Sequence, residues 1–262
     1  MICLEQLGEM LSISRRNEMA NYNVSKTCQV NDLDTILTTY FGYPSEGFFV
    51  EVGAFDGESF SNTSCLADHG WGGIYIEPVE EHYDACLRRH EKNEEIAVVQ
   101  CAVGSEDKTI DLYVGGPLTT SDPEQVKRYS EIDWAQHIPF SKREEVEQVT
   151  LDSLLDYFDI EPGQIDLLTV DVEGREADVF EGFSLREWSP KMMIIELEDE
   201  HESFQKYQDH VAVHRALREK ITDAGYIEIY KDHINTIFVQ EHYQKDIQQA
   251  WEAAESQAVK ES

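Results

Sequence analysis

Two glycines and three carboxylates lie in or beside one short turn, and these residue types restrict the ligand that the turn can hold. The turn, residues 53–57, follows the apolar run 48–52 and precedes a predicted helix, which is where nucleotide-type cofactors dock in α/β proteins. A dinucleotide site uses three glycines so that backbone N–H groups can approach a pyrophosphate. The carboxylates of Glu51, Asp56 and Glu58 would repel that group, so the turn predicts a ligand without phosphate.

An acidic residue after the next apolar run extends this candidate cofactor site. Glu77 lies 20 residues after Gly57, at the end of the run 73–76 and directly before Pro78. A carboxylate at that place in an α/β sheet accepts two hydrogen bonds from a ribose diol. S-Adenosylmethionine has a ribose, a sulfonium, an ammonium and no phosphate, and we expect it as the cofactor. The alternative is that Glu77 is a solvated loop residue and that the glycines serve only the turn.

Further carboxylates follow two later apolar runs. Asp171 and Glu173 come directly after residues 165–170, where they would face the reactive end of the cofactor. Because that run is apolar and central, an unpartnered Asp171 would cost free energy. Glu196 ends the next run, and with Asp171 it could supply oxygen ligands to a divalent cation. His201 follows shortly after, and its ordinary pKa near neutrality makes it a candidate general base.

The remaining acidic and histidine residues have a simpler explanation. In a chain with this many acids, clusters arise from composition, so we expect residues 198–200 to be a solvated run rather than a metal site. His69, His82, His137 and His214 do not lie at strand ends, and we expect most of them at the surface.

Strands and helices alternate along most of the chain, which determines where these residues would meet. The residues from 226 to 240 contain two apolar runs with a short link and predict an antiparallel hairpin. The fold class is therefore α/β, an open sheet of about seven mostly parallel strands with a C-terminal antiparallel hairpin and helices on both faces. The predicted strands are 48–52, 73–77, 96–103, 109–114, 146–151, 165–170, 192–197, 226–230 and 236–240, and the main predicted helices are 61–70, 79–93, 175–183 and 203–224.

Three parts are predicted along the chain. Residues 1–44 form an N-terminal helical lead-in, residues 45–240 the main domain, and residues 241–262 a polar helical tail. Residues 115–145 interrupt the alternation, and such excursions in compact domains are usually lids or binding loops. We expect this excursion to cover the acceptor, with contacts from Thr119, Thr120, Trp134 and His137.

The charge balance excludes whole classes of partner. The chain has 53 acidic and 21 basic residues, a formal net charge of −32, which would repel the phosphates of a nucleic acid and of an anionic membrane. No apolar run approaches the ~20 residues that span a bilayer, so we expect no transmembrane segment. The five cysteines are scattered, which disfavours a disulfide framework and favours the cytoplasm.

Several of these blocks together resemble the FkbM-type family of S-adenosylmethionine-dependent methyltransferases. The resemblance covers about residues 45–200, and the order and spacing of the blocks make it specific. The blocks are FFVEVGAFDG (48–57), SNT (61–63), GWGGIYIEP (70–78), VTLDSLL (149–155), IDLLTVDVEG (165–174) and IIE (194–196).

The resemblance implies the class I methyltransferase fold, which is Rossmann-like, and an enzyme that methylates hydroxyl groups. Members of the family often act on sugars in glycan, glycolipid or natural-product biosynthesis, so a small-molecule or glycan acceptor is expected. Glu51 and Phe55 stand where many members carry Asp and Asn, and the second change removes a polar side chain. The candidate cofactor contacts are Glu51, Gly53, Ala54, Asp56, Gly57, Asn62, Glu77, Pro78 and Ala102.

Methyl transfer is an in-line displacement at the sulfonium carbon, so the enzyme must align the acceptor oxygen and remove its proton. We predict that Asp171 and Glu173 position or deprotonate the hydroxyl, with His201 as the second candidate base. A divalent cation held by Asp171 and Glu196 would instead lower the pKa of the hydroxyl.

Two other function classes fit part of the sequence. A nicotinamide-dependent oxidoreductase could use a similar sheet, but the acidic turn disfavours its pyrophosphate. A non-catalytic interaction module could keep the fold without turnover, and Phe55 and the unusual charge are compatible with it. The polar C-terminal tail could pair with a second copy of the chain in a homo-oligomer.

Overall fold

The computed structural model describes residues 28–42 and 46–245 and places their strands in two sheets. In chain order the strands are β1 (Phe48–Val52), β2 (Gly72–Ile76), β3 (Ile96–Val99), β4 (Ala102–Val103), β5 (Lys108–Val114), β6 (Lys142–Val149), β7 (Leu167–Val170), β8 (Met192–Glu196), β9 (Tyr226–Lys231) and β10 (Asn235–Gln240). The larger sheet has the order β3-β2-β1-β7-β8-β10-β9. Its first five strands are parallel, and β10 pairs antiparallel with β8 and β9. This confirms the predicted sheet.

A smaller sheet of β4, β6 and β5 stands beside the first, and the sequence did not predict it as a separate sheet. The predicted strand 96–103 divides at Gln100, so that β3 pairs with β2 and β4 pairs with β6. The polar and exposed Gln100 is the one interruption of the run, and a single polar residue does not distinguish a change of sheet from a polar position within one strand. Strand β6 begins at Lys142, earlier than predicted. The prediction missed its first residues because they are charged and mostly exposed.

Eight α-helices surround the sheets in the described residues between 28 and 240, and residues 241–245 are helical as well. Of the predicted helix 61–70, only Ser64–Asp68 is helical. The predicted helix 203–224 begins as a 3₁₀ turn over Glu202–Phe204. One helix lies inside the predicted loop excursion, where Pro123 occupies its first position and the Asp122 side chain accepts the N–H of Glu124. The helices are α1 (Leu33–Phe41), α2 (Ser64–Asp68), α3 (Glu80–His90), α4 (Pro123–Ser130), α5 (Leu151–Tyr157), α6 (Glu176–Glu181), α7 (Leu185–Trp188) and α8 (Gln208–Asp223).

Both faces of the larger sheet are covered, which explains why strand β1 is apolar apart from Glu51. Val50 and Val52 point into one hydrophobic cluster, which includes Leu217 of α8. Phe49 points into the other cluster, which includes Leu37 of α1. Side chains alternate between faces along a strand, so a strand buried on both faces has few polar positions.

Helix α1 is part of this core, although it precedes the predicted main domain. Leu37 is fully buried, and Phe41 packs edge-on against Trp71 with ring centroids 5.3 Å apart. The Tyr40 hydroxyl donates to the side chain of Gln244 at 2.5 Å, which links α1 to the first residues of the predicted tail. The rest of the predicted lead-in and tail, residues 1–27, 43–45 and 246–262, lies outside the described residues.

No helix of the described part of the chain has both the length and the apolar character needed to cross a bilayer. The cysteines within that part, Cys28, Cys65, Cys86 and Cys101, are free thiols.

Replacing Leu37 by Ala tests whether α1 stabilises the whole domain. The substitution leaves a cavity against the sheet, and we expect the free energy of unfolding to fall by about 2–5 kcal/mol in a single cooperative transition. Thr35→Ala, at a half-buried position of the same helix, should cost less than about 1 kcal/mol. Equal effects of the two substitutions in urea denaturation would contradict this role of α1.

Candidate active site

The carboxyl ends of β1, β2 and β7 open into one cavity, at the edge of the sheet where ligands of α/β proteins bind. Residues from the smaller sheet and from the predicted excursion close its other sides. The lining includes the turn 53–55, the segment 59–62, Ile76 to Pro78, residues 101–103, Ile110, Leu112, the loop 116–121 and residues 169–173.

The first turn passes very close to the end of β7. Gly53 has φ +88°, and a Cβ atom there would lie 1.8 Å from the carbonyl oxygen of Asp171. Its N–H and that of Ala54 donate to the carbonyl of Ile76 at 3.0 and 3.1 Å. Glycine is therefore required here both by the left-handed backbone and by the contact between the two strand ends.

Glu51 lies buried in the cavity wall, and hydroxyl groups surround its carboxylate. Ser61 donates to one of its oxygens at 2.9 Å, and Thr63 donates to the same oxygen. Burial raises the pKa of Glu51 to about 7, against the opposing effect of these hydrogen bonds. The side chain of Asn62 is also buried beside the cavity, and its Oδ1 has no hydrogen-bond partner.

Glu77 is buried and organises the same turn from the end of β2. One carboxylate oxygen accepts the N–H of Phe55 at 2.9 Å, and the other accepts the N–H of Val79 at 2.8 Å. His82 Nδ1 lies 3.6 Å from the carboxylate. Glu77 is thus a fixed acceptor with lone pairs left over, rather than the solvated loop residue of the alternative interpretation.

Three carboxylates meet beyond the ends of β7 and β8. Oxygen atoms of Asp171, Glu173 and Glu196 lie within 4.8 Å of one another. Burial raises the pKa of each carboxyl group, and for Glu173 and Glu196 the charge of Asp171 raises the pKa further. The Tyr129 hydroxyl donates to Glu173, whereas Oε2 of Glu196 has no hydrogen-bond partner.

Most of the predicted site residues line this one cavity. Two that do not are Asp56, whose side chain accepts the N–H groups of Glu58 and Ser59, and Gly57, whose missing side chain leaves room for Cys86. Those that do are Glu51, Gly53, Ala54, Asn62, Glu77, Pro78, Ala102, Asp171 and Glu173.

The two other predicted residues stand behind or beside the cavity. Glu196 is buried within the carboxylate cluster but does not line the cavity wall. His201 is outside the lining as well, and its Nδ1 accepts the N–H of Ser203 at 3.1 Å. Its ring lies near those of Trp134 and His233, with centroids 6.2 and 5.5 Å away. Its role as a base stays a prediction.

The predicted excursion contributes to the cavity through its first half. Thr119 and Thr120 line the cavity, and the Thr120 hydroxyl donates to the carbonyl of Glu173 at 2.9 Å. Trp134 and His137 lie outside the lining and are exposed. The excursion therefore reaches the site through the loop 116–121.

Two expectations about polar residues were wrong. Glu198 and Asp199 are buried instead of solvated, because His210 lies 2.5 Å from Glu198 and the guanidinium of Arg218 donates twice to Asp199. His214 is also buried rather than at the surface. Composition alone suggested solvated groups, whereas the partners come from α8, which starts several residues later in the chain.

The sequence analysis also missed the residues that support the site. Ser61 and Thr63 flank Asn62 in a block that the family resemblance had included, so a signal for them existed. Tyr129 gave no signal, because it lies in the weakly patterned excursion, 44 residues before the carboxylate to which it donates.

Comparison with known proteins identifies the family of this chain. Residues 51–228 match the profile of the Methyltransferase FkbM domain, which is more than half of the chain. The chain belongs to the FkbM methyltransferase family. The matched region contains the turn, Glu77 and the carboxylate cluster, and the sheet order with its antiparallel hairpin is that of the class I methyltransferase fold. No curated protein matches the chain with significant similarity.

Solved structures resemble this FkbM family member only distantly. An O-methyltransferase from Bacillus cereus in complex with SAH is 16% identical, with a TM-score of 0.47 and coverage of 89% of this chain and 90% of that one. A putative O-methyltransferase from Klebsiella pneumoniae is 10% identical, with a TM-score of 0.46 and coverage of 89% of each chain. Aeropyrum pernix fibrillarin with S-adenosyl-L-methionine is 13% identical, with a TM-score of 0.38 and coverage of 78% and 72%.

The contact between the first turn and the end of β7 can be tested with Gly53→Ala. Left-handed strain of about 1–2 kcal/mol and the clash with Asp171 should together lower the free energy of unfolding by more than about 2 kcal/mol. Gly163→Ala is the matched control, because Gly163 has φ +81° but open space around it, so only the strain applies. Equal losses for both variants in chemical denaturation would show that the close approach is unimportant.

Proposed function

We propose that this FkbM family member is an S-adenosylmethionine-dependent O-methyltransferase that acts on a hydroxyl of a sugar, a glycan or a natural-product precursor. The observation that carries the proposal is one cavity with two parts. An acidic turn and Glu77 form one part, and the buried carboxylates Asp171 and Glu173 form the other.

The charge of the cavity supports this choice of cofactor. Glu51, Glu77, Asp171 and Glu173 line it, and Arg175 is the one permanently cationic side chain among the described lining residues. Such a wall favours a cofactor with a positive sulfonium and ammonium over one with a pyrophosphate. This is also the argument against a nicotinamide cofactor.

Individual polar atoms fit the parts of S-adenosylmethionine. Glu77 would accept the ribose hydroxyls, since each of its oxygens keeps a lone pair after binding one N–H group. The unpartnered Oδ1 of Asn62 and the carboxylate of Glu51 would accept hydrogen bonds from the ammonium. Apolar groups of Ala102 and Val103 would face the adenine.

The carboxylates at the other end would act on the acceptor. Asp171 lies at the cavity wall and is the first residue after β7, so it would receive the proton of the hydroxyl as the methyl carbon is transferred. Glu173 would hold the acceptor in line, and Tyr129 fixes the direction of its carboxylate. The burial that raises the pKa of Asp171 makes it a stronger base than an exposed aspartate.

The carboxylate cluster also fits a divalent cation. Three carboxylates within 4.8 Å of one another, one of them with an unpartnered buried oxygen, form the all-oxygen ligand set that hard cations prefer. Asp171 and Glu196, with Glu173, would hold it. When bound, it would lower the pKa of the acceptor hydroxyl.

Calorimetric titration of the cofactor tests the first half of the proposal. The wild-type chain should bind S-adenosylmethionine and its demethylated product, and should not bind NADH. In Glu77→Gln we expect the affinity for both adenosyl ligands to fall roughly 10-fold or more, because hydrogen bonds to a charged acceptor contribute about 1.5–3 kcal/mol.

The exposed Glu80→Gln in the first turn of α3 is the control and should bind like the wild type. Equal affinities of the two variants would refute the ribose assignment. A folded wild-type chain that binds neither adenosyl ligand would favour the non-catalytic module.

Asp171→Asn tests the base. With a panel of sugar and glycan acceptors and detection of the demethylated cofactor, turnover should fall by about 10²–10⁴-fold, while the affinity for S-adenosylmethionine changes little. Glu181→Gln, at an exposed position of α6, should keep wild-type turnover. Wild-type turnover in Asp171→Asn with normal cofactor binding would exclude Asp171 as the base.

A further inference from the structure

A second group of metal-binding side chains is buried behind the candidate active site. Ligand atoms of Glu198, His210 and His214 lie within 4.8 Å of one another, and all three side chains are buried. The two histidines are four residues apart in α8, so both project from the same face of that helix. Glu198 lies two residues beyond the end of β8.

A second carboxylate, that of Glu176, points into this group. One oxygen of Glu176 accepts the N–H groups of Val172 and Gly174, at 2.9 and 3.2 Å. The other oxygen has no hydrogen-bond partner, although the residue is fully buried, and it lies 3.8 Å from Nε2 of His214. A buried carboxylate oxygen without a donor is costly, and a cation among these atoms would satisfy it.

The composition of the group points in the same direction. It holds two buried carboxylates, Glu176 and Glu198, and two buried imidazoles, those of His210 and His214. The side-chain amide of Gln125 donates to Glu198 from 3.3 Å and carries no charge. All four side chains are of types that ligate transition-metal ions.

We propose that Glu176, Glu198, His210 and His214 bind one Zn²⁺ ion, or a transition-metal ion of similar preference. Two imidazole nitrogens and two carboxylate oxygens are ligands that zinc accepts in tetrahedral sites, whereas Mg²⁺ and Ca²⁺ prefer oxygen ligands alone. Because four protein ligands leave no open position and all are buried, the ion has a structural role. It joins α6, the segment after β8, and α8. This site is separate from the cluster of Asp171, Glu173 and Glu196, and the inference does not depend on methyl transfer.

Zinc binding has a specific consequence for His214. The N–H of Glu198 donates to Nδ1 of His214 at 3.2 Å, which places the proton of the neutral ring on Nε2. Zinc at Nε2 requires the other tautomer, so the ring proton moves to Nδ1 and the contact with the Glu198 N–H opens. The number of protons on the ring does not change.

The test is zinc binding by the full chain, stripped with chelator and titrated with Zn²⁺ in excess Mg²⁺, which occupies all-oxygen sites. We expect one zinc ion per chain retained through gel filtration and a higher melting temperature with zinc. His210→Gln and His214→Gln should each weaken zinc binding by at least about 100-fold, because changes even outside the ligand shell of zinc sites cost 10–100-fold. His242→Gln, an exposed histidine, and the double variant Asp171→Asn with Glu196→Gln should bind zinc like the wild type.

Measurements on the unmodified chain keep the proposal testable if a variant does not fold. X-ray absorption of the zinc-loaded chain should show four nitrogen or oxygen ligands, with outer-shell scattering from two imidazole rings. Nitrogen-15 NMR should show the proton of the His214 imidazole moving from Nε2 to Nδ1. Failure to retain zinc overturns the proposal, and so does zinc that persists in both histidine variants or disappears in the Asp171 and Glu196 variant. If the chain fails to retain zinc, the group consists of histidine–glutamate pairs that share protons.

Discussion

A carboxylate taken out of water loses hydration energy that donors or cations must replace, and six glutamates of the described part of the chain are buried near the carboxyl ends of the parallel strands. The buried carboxylates differ in the groups that donate hydrogen bonds to them. Glu51 receives hydroxyl groups and Glu77 receives backbone N–H groups, which also fix the turn around them. Glu196 keeps an oxygen without a partner. Several carboxylates are thus buried at the end of the sheet where the parallel strands terminate. The carboxylate oxygens that lack a hydrogen-bond donor are the places where a positively charged ligand would fit.

The same edge brings distant segments together. The end of β7 is pressed against Gly53 on one side, and the Glu173 that follows it is held by Tyr129 and Thr120 from the excursion. Glu173 itself has φ +55°, a left-handed conformation that costs a non-glycine residue about 1–2 kcal/mol. Thr120 holds the backbone there through the Glu173 carbonyl, and Tyr129 of α4 holds the side chain.

The larger sheet was predictable because each of its parallel strands is an apolar run between turn residues, as β1 and β7 show. That Glu51, Gly53 and Glu77 line one cavity was predictable as well, since each lies in or directly after the strand that positions it, whereas their contacts with a cofactor stay a prediction. The smaller sheet was not predictable, because the exposed half of β6 is charged and because Gln100, the single polar residue within residues 96–103, is too weak a signal for a change of sheet. The partners of Glu198 were missed because pairing across 12 or 16 residues depends on how α8 packs.

One side of the cavity is closed by the smaller sheet and by the loop that follows β5. Ala102 and Val103 in β4, Ile110 and Leu112 in β5, and the loop 116–121 all line it, and β4 and β5 both pair with β6. The wall beside the proposed cofactor site and the cover over the proposed acceptor site are therefore one connected unit. If the proposed function holds, such a wall would make the exchange of one ligand sensitive to the presence of the other in steady-state kinetics, and the order of binding and release would depend on the smaller sheet.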